Sequence, residues 1–298
     1  MRIVLLGKDG QVGRELLHAL TTLGDVISFG RADLDLAASR SIDATLMVLK
    51  PDVIINASAY TEVDRAESEI GIATLVNAVA PGRMADAARK TGAVFVHYST
   101  DYVFDGAKNF PYVEGDSTNP LNAYGKSKRE GEINIQQAGG AYLILRTSWV
   151  YSMRRNGFVN KVLQWSRNNT TLRIVEDQIS NPTWARALAE ITATLLAQNQ
   201  VDLFDAIRAK YGIYHLAGTG YASRYKWAKE ILVNASKRTG QPTPTLVPVS
   251  SGEFPTPARR PLFTALDCTK FESTFGLRLP GWKDSLQTAM FEESAHSQ

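Results

Sequence analysis

Residues 2–24 read RIVLLGKDGQVGRELLHALTTLG, and the order of their parts decides the fold. RIVLLG is a short apolar run that stops at a glycine, as expected of a strand covered on both faces at the centre of a parallel sheet. Behind it, Val12, Leu16, Leu17, Leu20 and Leu23 recur at helical spacing, and Gly24 is placed to cap that helix. Between the two lies GKDGQVG, which sets Gly7, Gly10 and Gly13 at the spacing GxxGxxG. A strand running through such a loop into a helix provides a tight turn, a backbone without Cβ atoms where a pyrophosphate approaches, and N–H groups aimed at the anion. On this reading Gly7, Gly10, Gln11 and Val12 border the phosphates, while Gly13 lets the helix pack on the sheet. A glycine-rich turn with no ligand is the plainer alternative.

The same rhythm continues along the chain. VISF (26–29) reads as a strand, SIDATLMVLK (41–50) as a helix closed by Pro51, and DVIINAS (52–58) as a third strand. Residues 70–90 are helical in pattern, with Pro81 expected to bend or interrupt them. VFVHYS (94–99) is a fourth strand, a polar loop runs to about residue 122, AYGKSKREGEINIQQ (123–137) is a helix, and YLILRTSWVY (142–151) is a fifth strand. Alternation of this kind predicts an α/β fold, a Rossmann-like doubly wound parallel sheet over residues 1–150, with ligands at the carboxyl ends of its strands. Beyond Tyr151 the spacing predicts helices at 157–168, 184–198 and 222–238 and strands at LRIV (172–175) and YHLAG (214–218), before a Pro-rich stretch at 243–261. Residues 151–298 therefore read as a smaller C-terminal lobe, with some elements returning to the sheet.

Composition narrows the function classes. With 44% apolar and 21% charged residues the chain is not disordered, and its 33 basic and 30 acidic residues nearly cancel, which argues against nucleic acid as a partner. Cys268 is the only cysteine, so no intramolecular disulfide or cysteine metal cluster can form, and a reducing cytoplasm is expected. The opening MRIVLLGKDG lacks the apolar core and cleavage site of a signal peptide. No run approaches the roughly 18 apolar residues of a membrane span. His18, His97, His215 and His296 are scattered without ligand spacing and read as structural or surface residues, not metal ligands.

Cofactor choice turns on the tip of the second strand. The usual dinucleotide fingerprint places an acidic residue there for the adenosine ribose, whereas this chain has Phe29, Gly30 and Arg31. A guanidinium at that point favours a 2′-phosphate, so NADPH is expected over NADH. Asp33 or Asp35 could still reach round to a ribose, which keeps NADH open.

The chemistry lies further on. Strand four ends in HYSTDYVF (97–104), so Ser99, Thr100 and Asp101 fall where the sheet presents residues to a bound cofactor. In NAYGKSK (122–128), Tyr124 and Lys128 share one helix face. That pair alone is common on solvated helices; a phosphate loop and a threonine-tipped strand before it make it informative. A ketone reduced by hydride needs a proton at the developing alkoxide, and a tyrosine with a pKa of about 10 is a poor acid at neutral pH. A nearby ammonium favours the phenolate and lowers that pKa; about three units would correspond to about 4 kcal/mol, in a partly desolvated site. Thr100 supplies a second donor to the carbonyl oxygen.

These residues resemble the Tyr-x-x-x-Lys and Ser/Thr pattern of the extended short-chain dehydrogenase/reductase superfamily. GKDGQVGREL, DLDL, KPDVIINASAYTEVDRAE, HYSTDYVFDG, PLNAYGKSKREGE, LRTSWVY and FPTPARRPLFTALDCTKF narrow it. In order, from residue 1 to about 291, they resemble the dTDP-4-dehydrorhamnose reductase family. The resemblance implies that NAD(P)H reduces the 4-keto group of dTDP-6-deoxy-L-lyxo-4-hexulose, with residues 151–298 mainly holding the sugar nucleotide. It makes Tyr124 the proton donor, Lys128 its activator and a ribose ligand, and Thr100 the donor that orients the ketone. Cofactor contacts carry over to Gly10, Gln11 and Val12, Gly30 and Arg31, Asp35 and Leu36, Ala59, Tyr60 and Thr61, and Tyr98; substrate contacts carry over to Thr100, Asp101 and Trp149.

Trp149 reads equally as an indole facing a deoxysugar or as a core residue, and Arg259 and Arg260 as phosphate forks or as salt-bridge partners. Some relatives dimerise around magnesium held by glutamates. Glu15 and Glu292 could match, but PTWARALAE (182–190) puts Arg186 near the remaining position, and its cation would repel the metal. No structural magnesium is expected, and monomer and homodimer both stay open. Competing functions are an epimerase or dehydratase of the same superfamily and a non-catalytic regulatory subunit; the intact Thr100, Tyr124 and Lys128 set speaks against the latter.

Overall fold

A computed structural model describes residues 1–38, 40–154 and 157–295; His296 lies outside them. β1 (Arg2–Leu6) leads through the glycine loop into α1 (Gln11–Ala19), followed by β2 (Asp25–Phe29), α2 (Arg40–Leu49) and β3 (Val53–Asn56). Along β1 the residues alternate between two cores. Ile3 and Leu5 face one, with Leu16 and Leu20 from the α1 segment; Val4 and Leu6 face the other, with Ile42 and Leu46 of α2. A strand covered on both sides needs this continuous apolar run.

The first helix ends sooner than its apolar spacing predicts, with Leu20 as its C-cap. Gly24 instead sits where an added Cβ would lie 2.0 Å from the Met1 carbonyl oxygen, so it serves the approach to β2 and not the helix end. After β3, α3 (Val63–Ala66) and α4 (Ile70–Thr74) run into a π turn at Leu75–Val79 and then α5 (Ala80–Thr91). Pro81 therefore does not break the helix. It stands in the first turn of α5, where its missing N–H costs least, and the wide turn just before it absorbs the change in hydrogen bonding.

β4 (Val94–Thr100), α6 (Ala123–Ala138) and β5 (Tyr142–Thr147) follow as the spacing predicts. Strand five, however, stops at Thr147 and resumes as β6 (Val150–Tyr151), because Trp149 takes a left-handed conformation with φ of 39°. α7 (Phe158–Asn168), β7 (Thr171–Val175), β8 (Ile179–Ser180) and β9 (Thr183–Trp184) lead to α8 (Ala185–Gln198), α9 (Leu203–Ala209) and β10 (Gly212–His215). The remainder comprises β11 (Ala222–Ser223), α10 (Arg224–Thr239), β12 (Thr245–Val249), α11 (Thr269–Phe275) and α12 (Trp282–Ala295).

The main sheet has six strands in the order β10-β5-β4-β3-β1-β2, all parallel. Its order reverses beside β1, where β2 leaves on one side and β3 on the other, and ligand crevices open at such a switch point. Elements from beyond residue 150 help build this body: β10 is its edge strand, and Leu188 and Leu195 of α8 join Ile3 and Leu5 in one core. A separate apolar cluster joins Tyr151 with Val159, Leu172, Trp227 and Leu286, drawn from α7, β7, α10 and α12. The cleft lies between that cluster and the carboxyl ends of the main sheet. Among the described residues, no helix is long and apolar enough to cross a membrane.

Candidate active site

The glycine loop is fastened before any ligand arrives. The N–H groups of Gly7 and Lys8 both donate to the Phe29 carbonyl, at 2.8 and 3.2 Å, tying the end of β1 to the tip of β2. Gly7 has φ of +88°, and an added Cβ there would lie 2.7 Å from the Ser58 nitrogen. Gly13 would place a Cβ 2.0 Å from the Gly7 carbonyl oxygen, so α1 can pack this closely only with glycine. Gly10 caps α1 without any side-chain hydrogen bond, which leaves first-turn N–H groups free for an anion.

A cavity of about 640 Å³ runs from this loop across the strand ends to α10. Gly7, Gly10, Gln11 and Val12 line one end, with Gly30, Arg31, Asp35 and Leu36 beside them. Ala59, Tyr60 and Thr61 follow, then Tyr98, Thr100 and Asp101, and the far end holds Tyr124, Lys128 and Trp149. Gly13 alone among the expected cofactor residues lies off the wall. Tyr98 borders the cavity, but its phenol is hydrogen-bonded to Thr192 Oγ1 on α8 at 2.7 Å, buried away from a cofactor.

Asp101 is also more engaged than a free substrate ligand. Its carboxylate accepts from Thr264 Oγ1 at 2.5 Å, Ser180 Oγ at 3.0 Å and Thr100 Oγ1 at 3.1 Å, fastening the tip of β4 to two distant segments. Trp149 is stacked on Trp227, with ring centroids 5.5 Å apart, and the Arg224 guanidinium also lies against it, 3.7 Å from the ring centroid. It thus belongs at once to the cavity wall and to the edge of the neighbouring apolar cluster.

The RmlD substrate binding domain family matches residues 1–295. The chain belongs to this family. A dTDP-4-dehydrorhamnose reductase of Burkholderia thailandensis is 39% identical over 286 residues, covering 95% of this chain and 96% of the relative. A crystal structure of a dTDP-4-dehydrorhamnose reductase from Clostridium acetobutylicum superposes with a TM-score of 0.90 at 33% identity, covering 99% of this chain and all of that one. The Bacillus anthracis enzyme, solved in complex with NADP, gives a TM-score of 0.88 at 30% identity and covers 98% of this chain and 99% of that one.

Within this RmlD-family site the electrostatics differ from the simplest expectation. The spacing predicts an ammonium at Lys128 that pulls the Tyr124 phenol down. Instead, burial raises the Tyr124 pKa, a hydrogen bond with Thr100 only partly offsetting it, and burial lowers Lys128 to about 7 despite the nearby Glu132 charge. The Lys128 amine is turned toward His97 Nε2 at 3.0 Å and the Tyr98 carbonyl at 2.7 Å. Desolvation dominates both shifts because both groups are deeply buried, and neither residue is a cause of the other's shift. Burial likewise raises Asp101 to about 6.

Several residues of the site escaped the sequence reading. Arg224 lines the cavity, and among the described residues no carboxylate forms an ion pair with it. Asp9 of the glycine loop presses its carboxylate against Gly30, where an added Cβ would lie 2.0 Å from Oδ2. Asn77 in the π turn accepts from the Tyr60 N–H at 2.8 Å and donates to the Tyr60 carbonyl at 3.0 Å, clamping the loop after β3. The same amide reaches Ser127 of α6 at 3.0 Å, so the loop and α6 are held together. Arg260 is claimed by Asp64, with contacts of 3.0 and 2.8 Å, the salt-bridge alternative of the sequence reading. Arg186 donates to Glu15 Oε2 at 3.1 Å and also to Glu292, standing between the two carboxylates considered for magnesium.

Proposed function

We propose that this chain reduces the 4-keto group of dTDP-6-deoxy-L-lyxo-4-hexulose, that is dTDP-4-dehydro-L-rhamnose, to dTDP-L-rhamnose, the final step of dTDP-L-rhamnose synthesis. NADPH is the preferred donor and NADH the alternative. The observation that carries the reading is the convergence of Thr100, Tyr124 and Lys128 on the same cavity as the glycine loop, in a chain that is 39% identical to a dTDP-4-dehydrorhamnose reductase.

The cradle suits a dinucleotide. Uncapped N–H groups of α1 meet the phosphates, and the strand-two tip offers Arg31. Asp33 is already held by Lys8 at 2.7 Å and by the Gly30 N–H at 2.8 Å, which leaves it poorly placed to select a ribose diol and supports a 2′-phosphate instead. When bound, the nicotinamide supplies the hydride.

The side chains supply the rest. With its pKa raised by burial, Tyr124 holds its proton at neutral pH and delivers it to the ketone oxygen as the carbonyl becomes an alcohol. Thr100 orients that oxygen by turning to it the hydroxyl proton that it otherwise donates to Asp101. Lys128, one helical turn from Tyr124, stabilises the phenolate left behind and reaches the nicotinamide ribose. Trp149 gives the 6-deoxy sugar an apolar face, and Arg224 takes the diphosphate, since a lone guanidinium beside an aromatic wall fits an anion.

Incubation of the purified chain with dTDP-4-dehydro-L-rhamnose and NADPH tests the proposal. One NADPH oxidised per dTDP-L-rhamnose formed is the expected result. A retained NAD with no net oxidation would indicate an epimerase or dehydratase, and absence of turnover in a folded sample a regulatory subunit.

A further inference from the structure

Behind the catalytic lysine runs a buried chain of side chains whose donors and acceptors can be worked out from one fixed point. The backbone N–H of Ser58 can only donate, and it donates to Asn56 Oδ1 at 3.1 Å; the Ser58 hydroxyl donates to the same oxygen at 2.6 Å. The Asn56 amide therefore cannot be turned round without setting its NH₂ against an N–H. Its Nδ2, 3.0 Å from His97 Nδ1, must donate to that ring nitrogen. A neutral imidazole that accepts at Nδ1 carries its proton on Nε2, and Nε2 lies 3.0 Å from the Lys128 amine. An ammonium facing an N–H would be two donors head to head. The amine, in contrast, can accept from Nε2–H while one of its own hydrogens goes to the Tyr98 carbonyl at 2.7 Å.

We propose that His97 is a positioning residue that presents Nε2–H to Lys128 and so holds its side chain as a neutral amine in the cofactor-free enzyme. Both residues are almost wholly buried, at 0% and 1% exposure, so no bulk water relieves the mismatch that an ammonium would create. Burial, and then the charge that Lys128 would carry, push His97 well below the ordinary histidine range, which keeps the ring neutral as the tautomer argument requires.

The groups facing Lys128 support the assignment. From α6 itself come Tyr124 and Glu132, and among the described residues Glu132 is the carboxylate that favours an ammonium. Its oxygens are already taken by Arg146 of β5, at 2.8 and 2.8 Å, and by Ser99 of β4 at 2.6 Å. β4 contributes His97 and the Tyr98 carbonyl, and β3 the uncharged Asn56. The catalytic meaning rests on the reductase reading: a lysine that waits as an amine must gain a proton before it can stabilise the Tyr124 phenolate, so His97 sets the pH above which turnover falls.

The first test needs no turnover, so its failure is distinct from failure of the reductase reading. Long-range 1H–15N correlation spectra of histidine-labelled protein, with His97 assigned by its loss in His97→Gln, report which ring nitrogen is protonated. The proton is expected on Nε2; a proton on Nδ1, or an imidazolium, overturns the proposal. The second test is the pH profile of kcat/KM, which reads free-enzyme ionisations. In His97→Phe the falling alkaline limb should move up by about one pH unit, as expected when a donor to the neutral amine is removed. A limb that stays in place while activity merely drops would mean that His97 is packing alone.

Discussion

The Arg224 guanidinium lies over the face of Trp149, 3.7 Å from the ring centroid, with no carboxylate of the described residues in an ion pair with it. Burial lowers its pKa to about 10, still charged at neutral pH. A cation kept in a cleft on an aromatic wall, near Asp101 but not bonded to it, is poised for an incoming anion. Arg224→Ala is expected to raise KM for the sugar nucleotide about 10- to 100-fold, the equivalent of one charge-assisted bond of about 1.5–3 kcal/mol. NADPH affinity should not change. Loss confined to the cofactor would put Arg224 elsewhere in the mechanism.

Tyr124→Phe should lower kcat at least about 100-fold, the usual scale for removing a general acid, while fluorescence titration still detects bound NADPH. Phenylalanine keeps the ring's edge contact with Tyr102, whose centroid is 5.9 Å away. Wild-type rates in this variant would end the acid assignment.

Cofactor discrimination should respond to Arg31. With Lys8 committed to Asp33, the Arg31 guanidinium is the group at the strand-two tip left to meet a 2′-phosphate. In Arg31→Ala the ratio of kcat/KM for NADPH over NADH should fall about tenfold, corresponding to about 1.4 kcal/mol. An unchanged ratio would assign selectivity to other groups, Lys8 first.

His215 makes stability depend on pH far from the site. Its Nδ1–H is shared between the Tyr112 and Asp267 carbonyls, at 3.0 and 3.2 Å, and burial lowers its pKa to about 3. The unfolded chain takes up that proton near pH 6.5, so between these values it binds more protons than the fold. The stabilisation is complete above pH 6.5 and is lost as pH falls toward 3, by about 1.4 kcal/mol per unit. In urea unfolding, the wild type should lose about 2 kcal/mol more than His215→Gln between pH 7 and pH 5. Parallel losses would show that the histidine does not titrate on unfolding.

Much of the sheet was legible because the strands of its first half are mainly apolar runs bounded by turn residues. The glycine loop was readable for a related reason: Gly7 and Gly13 stand where a side chain would collide with backbone. Trp149 was not, since nothing in LRTSWVY marks a left-handed residue that splits the strand. α9 and α11, of seven residues each, are too short for apolar periodicity to register. α12, by contrast, places Trp282, Leu286, Ala289 and Met290 at helical spacing and could have been read. His97 looked like a scattered histidine because burial on both faces of β4 hides a polar residue among apolar neighbours. Arg224 could not be singled out, because what distinguishes it, stacking on Trp149 without an ion pair among the described residues, is not written in the sequence.

A π turn widens the helix by one residue per turn, and Leu75–Val79 is such a turn between α4 and α5. Within it, Asn77 meets the backbone of Tyr60 and the hydroxyl of Ser127. A change at Asn77 would therefore loosen the loop after β3 and its tie to α6 together, with the strands of the sheet untouched.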